Sequence, residues 1–154
     1  MKLIRILVAL AALPVAIFQA HAGIGWDLKE CEQHYGSPVG GPFEGRHGDS
    51  HNYHFHARSW EIWANFSDST NRVIMISYIT QNQQLLEKNW NELLQENAPG
   101  VTRWQPDPEA NERLHRRQWN GSVGQDSYTV FTEHDATGRN HSLTIIYNRP
   151  SQQD

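Results

Sequence analysis

His54 and His56 are separated by one residue, Phe55, in a run whose alternation predicts a β-strand over 52–57. On that strand Asn52, His54 and His56 share one face, and Tyr53, Phe55 and Ala57 share the other. Imidazoles two residues apart on a strand stand about 7 Å apart at their Cβ atoms, close enough for two neutral nitrogens to hold one Zn²⁺ or Cu²⁺. A stable site needs a third or fourth ligand, and the candidates are His47, His51, His141 and a carboxylate such as Glu61 or Asp49. His47 and His51 lie on or beside a glycine-rich stretch that could close over an ion. The competing reading is a pair of solvated histidines on the polar face of an edge strand.

The second chemical feature is aromatic. Six tryptophans in 154 residues is a heavy load. Trp60, Trp90 and Trp104 fall at core positions of their predicted elements, whereas Trp63 opposes the apolar face of its strand and Trp119 is a further candidate for exposure. An exposed Trp63 flanked by Arg58 and Arg72 would suit the anchoring of a protein or a sugar. Glu61, Glu133 and His134 offer acid/base side chains and nothing more. Cys31 and His34 stand one helical turn apart, but Leu28, Cys31 and Tyr35 follow the i, i+3, i+7 spacing of an apolar face, which predicts a core thiol rather than a nucleophile. The glycines between 39 and 50 match no phosphate-binding pattern. With no complete catalytic motif, the expectation is a binding or interaction module without catalysis and without a cofactor, and the alternative is a metal-binding protein using zinc or copper.

The elements that would position these residues begin with a short helix. Asp27 and Glu30 have capping-box spacing, and Gly36 with Pro38 ends the helix. The stretch 39–50, with four glycines and Pro42, reads as a flexible loop. Three antiparallel strands follow, at 52–57, 60–66 and 72–79, and the β-branched third is expected at the centre. A second helix is predicted over 82–97, with Thr80 and Gln83 as its capping pair and Leu86, Trp90, Leu93 and Leu94 as its apolar stripe. Strand candidates then recur at 101–104, 114–119, 127–134 and 141–148. The order reads α-βββ-α-βββ, an α+β fold with both helices on one face of an antiparallel sheet, and the likeness of its halves suggests a duplicated α-βββ unit.

Residues 1–22 carry Lys2 and Arg5, an apolar run from 7 to 18, and Ala20-His21-Ala22, the three parts of a secretory signal cut after Ala22. The expected product is one domain over 23–148 with a disordered tail at 149–154, periplasmic or secreted. No later apolar run is long enough to span a membrane. Without Lys2 and Arg5 the basic residues fall from 13 to 11 against 17 acidic ones, a net charge of −6 with histidines neutral. That balance argues against nucleic acid as a partner. Arg113, Arg116 and Arg117 around His115 read as a solvated strand face.

The segment Leu28-Lys29-Glu30-Cys31-Glu32-Gln33-His34-Tyr35-Gly36-Ser37-Pro38, a helix closed by Gly-x-Pro and followed by a meander, resembles the entry of small exported envelope domains of the SmpA/BamE and β-lactamase-inhibitor-protein-like type. The resemblance implies a module that binds another envelope or secreted protein through the open face of its sheet. The glycine-rich loop and the histidines are not part of that pattern.

Overall fold

The computed structural model describes residues 23–45, 48–110 and 116–148. The signal at 1–22, the tail at 149–154, His47, Arg113 and His115 lie outside the described residues.

The first element is α1 (Leu28–Tyr35). The Asp27 carboxylate accepts from the Glu30 amide at 2.9 Å, and the Glu30 carboxylate accepts from the Asp27 amide at 2.8 Å, so the capping box forms as its spacing predicts. Four strands then run as a meander: β1 (Gly40–Glu44), β2 (Ser50–Ala57), β3 (Trp60–Ser67) and β4 (Arg72–Thr80). After α2 (Gln83–Asn97) come β5 (Gln105–Pro106), β6 (Arg116–Val123), β7 (Asp126–His134) and β8 (His141–Asn148). All eight strands form one antiparallel sheet in the order β1-β2-β3-β4-β8-β7-β6-β5. The two meanders therefore meet at β4 and β8, where Ile76 faces Ile145 and Tyr78 faces Leu143. The short edge strands β1 and β5 each contain a proline, Pro42 and Pro106.

This corrects the expected α+β architecture of two helices layered on one face in α-βββ halves. The sheet dominates, each meander has four strands, and the helices are too small to form a layer. Their eight and fifteen residues give lengths of about 12 and 22 Å, against a sheet about 34 Å wide across eight strands. Helix α1 touches the sheet at β2, and α2 touches it at β4 and β8. The remaining apolar surface on that side is covered by Trp26, Trp60, Trp90, Trp104 and Trp119, all half-buried against the core. Trp119, a candidate for exposure, instead packs edge-on to Trp90 of α2 at 5.0 Å between ring centroids.

Local corrections follow the same physics. The expected 39–50 loop contains β1, because Gly40, Phe43 and Glu44 pair with His54, Asn52 and His51 across a bulge. The first strand of the sequence reading begins earlier, at Ser50. Residues 101–104 are not strand, and only Gln105 and Pro106 pair there, with Asn120 and Trp119. Asn82, not Thr80, caps α2 by accepting from the Leu85 amide at 3.1 Å, while Thr80 accepts from the Asn82 amide.

The core holds Cys31 and Tyr35 from α1, Phe55, Ile62, Ala64, Phe66, Ile76 and Tyr78 from the first meander, Leu86, Leu93 and Leu94 from α2, and Val130, Leu143 and Ile145 from the second. Each fully buried Phe, Ile or Leu contributes about 1.5–3 kcal/mol relative to exposure. Among the described residues no helix is long and apolar enough to cross a membrane.

Candidate functional site

The side chains that point away from this core form the other face. One row across it runs His54, Trp63, Ser77, Thr144, Phe131 and Gln118, and the next runs His56, Glu61, Ile79, Ser142, Glu133 and Arg116. The rows are set by two hairpins with two-residue turns, Arg58-Ser59 and Gly124-Gln125, because a short turn fixes register.

The β2–β3 register puts His54 opposite Trp63 and His56 opposite Glu61. One ligand atom from each of His54, His56 and Glu61 lies within 4.8 Å of the other two. The histidine rings stand 5.0 Å apart and nearly perpendicular. His54 Nε2 is 3.3 Å from Glu61 Oε1. Despite that proximity the pair lacks hydrogen-bond alignment, and Nε2 has no hydrogen-bond partner. The His54 side chain is only 18% exposed, so this nitrogen is largely shielded from water.

Trp63 builds the site rather than standing free beside it. Its indole stacks on the His54 ring at 4.5 Å and 7°, and Phe43 of β1 packs against the indole with ring centroids 5.8 Å apart. The indole N–H donates to Glu61 Oε1 at 3.0 Å. The carboxylate is thereby held in place through Oε1, the oxygen that also lies 3.3 Å from His54 Nε2. Of the six tryptophans, Trp63 is the one absent from the core side, and that is where the potential ligands gather.

The other sequence candidates go elsewhere. His51 falls on the opposite face of β2, stacked on Phe66 at 5.5 Å with Nδ1 2.6 Å from Asp68. The longer strand puts His51 in phase with Tyr53 and Phe55, so it cannot join His54. His141 lies on β8 beside His134, with β4 between its strand and β3. Asp49 precedes β2 and is exposed. Arg58 occupies the β2–β3 turn with a left-handed φ of 57°. Arg72 reaches back to the Gly25 carbonyl at 3.0 Å and the Glu30 carboxylate at 3.1 Å, which ties the strand to α1. Neither arginine flanks Trp63. Glu61 lies on β3, whereas Glu133 and His134 are neighbours on β7, separated from it by β4 and β8, and Glu133 sits 3.7 Å from Arg116. Arg116 also lies 4.0 Å over the Phe131 ring, beside a polar cleft of about 300 Å³ lined by Asp107, Glu109, Ala110, Arg116 and Gln118.

Cys31 is fully buried, and burial, reinforced by Asp27, Glu30 and Glu32, pushes its thiol up to about 12. It is therefore a core side chain with almost no thiolate near neutrality. Burial, then Arg58, pushes the His34 pKa down, so the neighbouring imidazole is held toward its neutral form.

Glu61 is the member of the cluster that sequence reasoning placed only among candidate carboxylates; the two-residue turn, which puts His56 opposite Glu61, was the available signal. No family model, no curated protein and no solved structure matches the chain.

Proposed function

We propose that this chain is an exported binding module for a divalent transition-metal ion, zinc or copper, held by His54, His56 and Glu61. The observation that carries the reading is the convergence of three ligand atoms within 4.8 Å, one of them a shielded nitrogen without a hydrogen-bond partner. Two imidazoles and a carboxylate suit either ion and leave a coordination position for a further ligand. Trp63 supports the site from behind by fixing the carboxylate and one ring, as outer groups do at metal centres. Titration calorimetry with Zn²⁺ and Cu²⁺ at pH about 7.5 tests it: binding tighter than about micromolar, lost in His54→Ala/His56→Ala and weakened at least about tenfold in Glu61→Gln, is expected. Weak binding that survives in the double variant would overturn the metal reading.

A second reading, docking of another envelope or secreted protein on the helix-free face, is favoured by the aromatic pair Phe43 and Trp63, because Phe43 is 47% exposed at the sheet edge. It follows what the envelope-domain resemblance implies. A photo-crosslinker at position 43 should then trap one defined partner in the exporting cell; trapping that is unchanged by Trp63→Ala would count against this face.

A further inference from the structure

Asn97 closes α2 and is 1% exposed. Its amide nitrogen donates to the Tyr78 hydroxyl at 3.0 Å and to the Leu93 carbonyl at 2.8 Å, and the Tyr78 hydroxyl meets that of Tyr35 at 2.9 Å. This chain of polar groups links α2, β4 and α1 inside the core. Its free end is the Asn97 amide oxygen, which is buried and has no partner. An unmet buried acceptor is costly in a core otherwise satisfied.

Gly23 is packed against that oxygen. It is buried, with a left-handed φ of 104°, and a Cβ at this position would fall 2.1 Å from Asn97 Oδ1 and 3.0 Å from Ile76 Cδ1. Glycine is required there on both counts. Because such a Cβ is one bond from Cα, the Gly23 nitrogen lies within about 5 Å of the oxygen. Gly23 is also the residue that follows the Ala20-His21-Ala22 pattern at the end of the signal-like segment.

We propose that cleavage of the Ala22–Gly23 peptide bond is a maturation step that completes the core. Hydrolysis by an export peptidase consumes one water, leaves a carboxylate on Ala22 and places an α-ammonium on Gly23. That ammonium donates to Asn97 Oδ1. An amide in the uncut chain has one N–H, held in the plane of its peptide; the ammonium has three and turns freely about N–Cα. Its positive charge also falls at the C-terminal end of α2, where the helix dipole favours cations. The proposal is independent of the metal site.

The test uses the full chain, expressed in an exporting bacterium and recovered from the periplasm. Its intact mass should correspond to residues 23–154. Acetic anhydride at pH about 6.5 reacts with α-amines ahead of lysines, and the folded protein's α-amine should react about 100-fold more slowly than in urea. Asn97→Asp retains an acceptor and should retain the protection, whereas Asn97→Leu should lose it. A product starting elsewhere, or an α-amine that reacts as fast folded as unfolded, overturns the proposal; so does a folded Asn97→Leu variant whose amine stays protected.

Discussion

At the scale of single residues, Trp63 does two jobs that a substitution can separate. Phenylalanine keeps a ring to stack on His54 but has no N–H for Glu61, so the carboxylate is freed to rotate. Trp63→Phe should lower metal affinity by about tenfold with little change in melting temperature, read by calorimetry and thermal unfolding on the same samples. Arg58 is the converse case, a residue that costs the fold. Its φ of 57° at the β2–β3 turn is a conformation that suits glycine, and its side chain is exposed. Arg58→Gly should stabilise the protein by about 0.5–1 kcal/mol in urea unfolding; destabilisation would mean that the guanidinium makes a compensating contact. The histidine pair was legible in the sequence because the strand period of two is strict, and the same strictness explains the error at His51. With the strand starting at Ser50, His51 shares the parity of Tyr53 and Phe55 and packs on Phe66. Glu61 was harder to single out, because its place depends on which residues of two strands face each other.

Among the elements, α1 shows how much local spacing can disclose: the Asp27–Glu30 capping box and the buried Cys31/Tyr35 face both follow from the order of residues. The Asn97–Tyr78–Tyr35 chain could not be read that way, since its members are 19 and 43 residues apart and meet only through packing. Nor could β1, whose Gly40, Gly41 and Pro42 have turn-like composition although Gly40, Phe43 and Glu44 pair with β2 around a bulge at Gly41 and Pro42. The burial of α1 and β4 has a consequence for pH. The Cys31 thiol is raised from 9.0 to about 12, chiefly by burial, and Tyr35 and Tyr78 are raised above 10.0 for the same principal reason. Between these values the unfolded chain has lost protons that the folded chain keeps, so unfolding releases protons and becomes easier as pH rises. The contribution of these three groups should be constant below about pH 9 and fall steadily towards about pH 12. Cys31→Ala should shallow that slope even though it lowers stability at pH 7, a comparison that urea titrations at several pH values would make.

For the whole molecule, the tryptophan count acquires a reason. Two short helices leave much of a wide sheet bare, and five large indoles cover what they do not. Composition disclosed the number of tryptophans, but not that a sheet, rather than the helices, was the dominant element. The joint between the meanders is the β4–β8 pair, reinforced by the Ser77–Thr144 hydroxyl bond at 2.8 Å and by Leu143 and Ile145, both fully buried. Since the core runs through that joint, Leu143→Ala should cost about 2–5 kcal/mol and leave one cooperative unfolding transition; two separated transitions would show that the meanders fold independently.

The ends of the sheet have a different consequence. An antiparallel sheet with eight strands and open edges is a template on which further chains could stack into filaments, because each edge offers a row of unused amides and carbonyls. Pro42 and Pro106 remove an amide from the outermost strand at either end, and β5 is only two residues long. Replacing both prolines with valine should leave the monomer folded yet promote thioflavin-positive fibres in concentrated solutions, while the parent chain stays clear. The two edge residues least concerned with binding would then be what keeps a sheet this broad from polymerising.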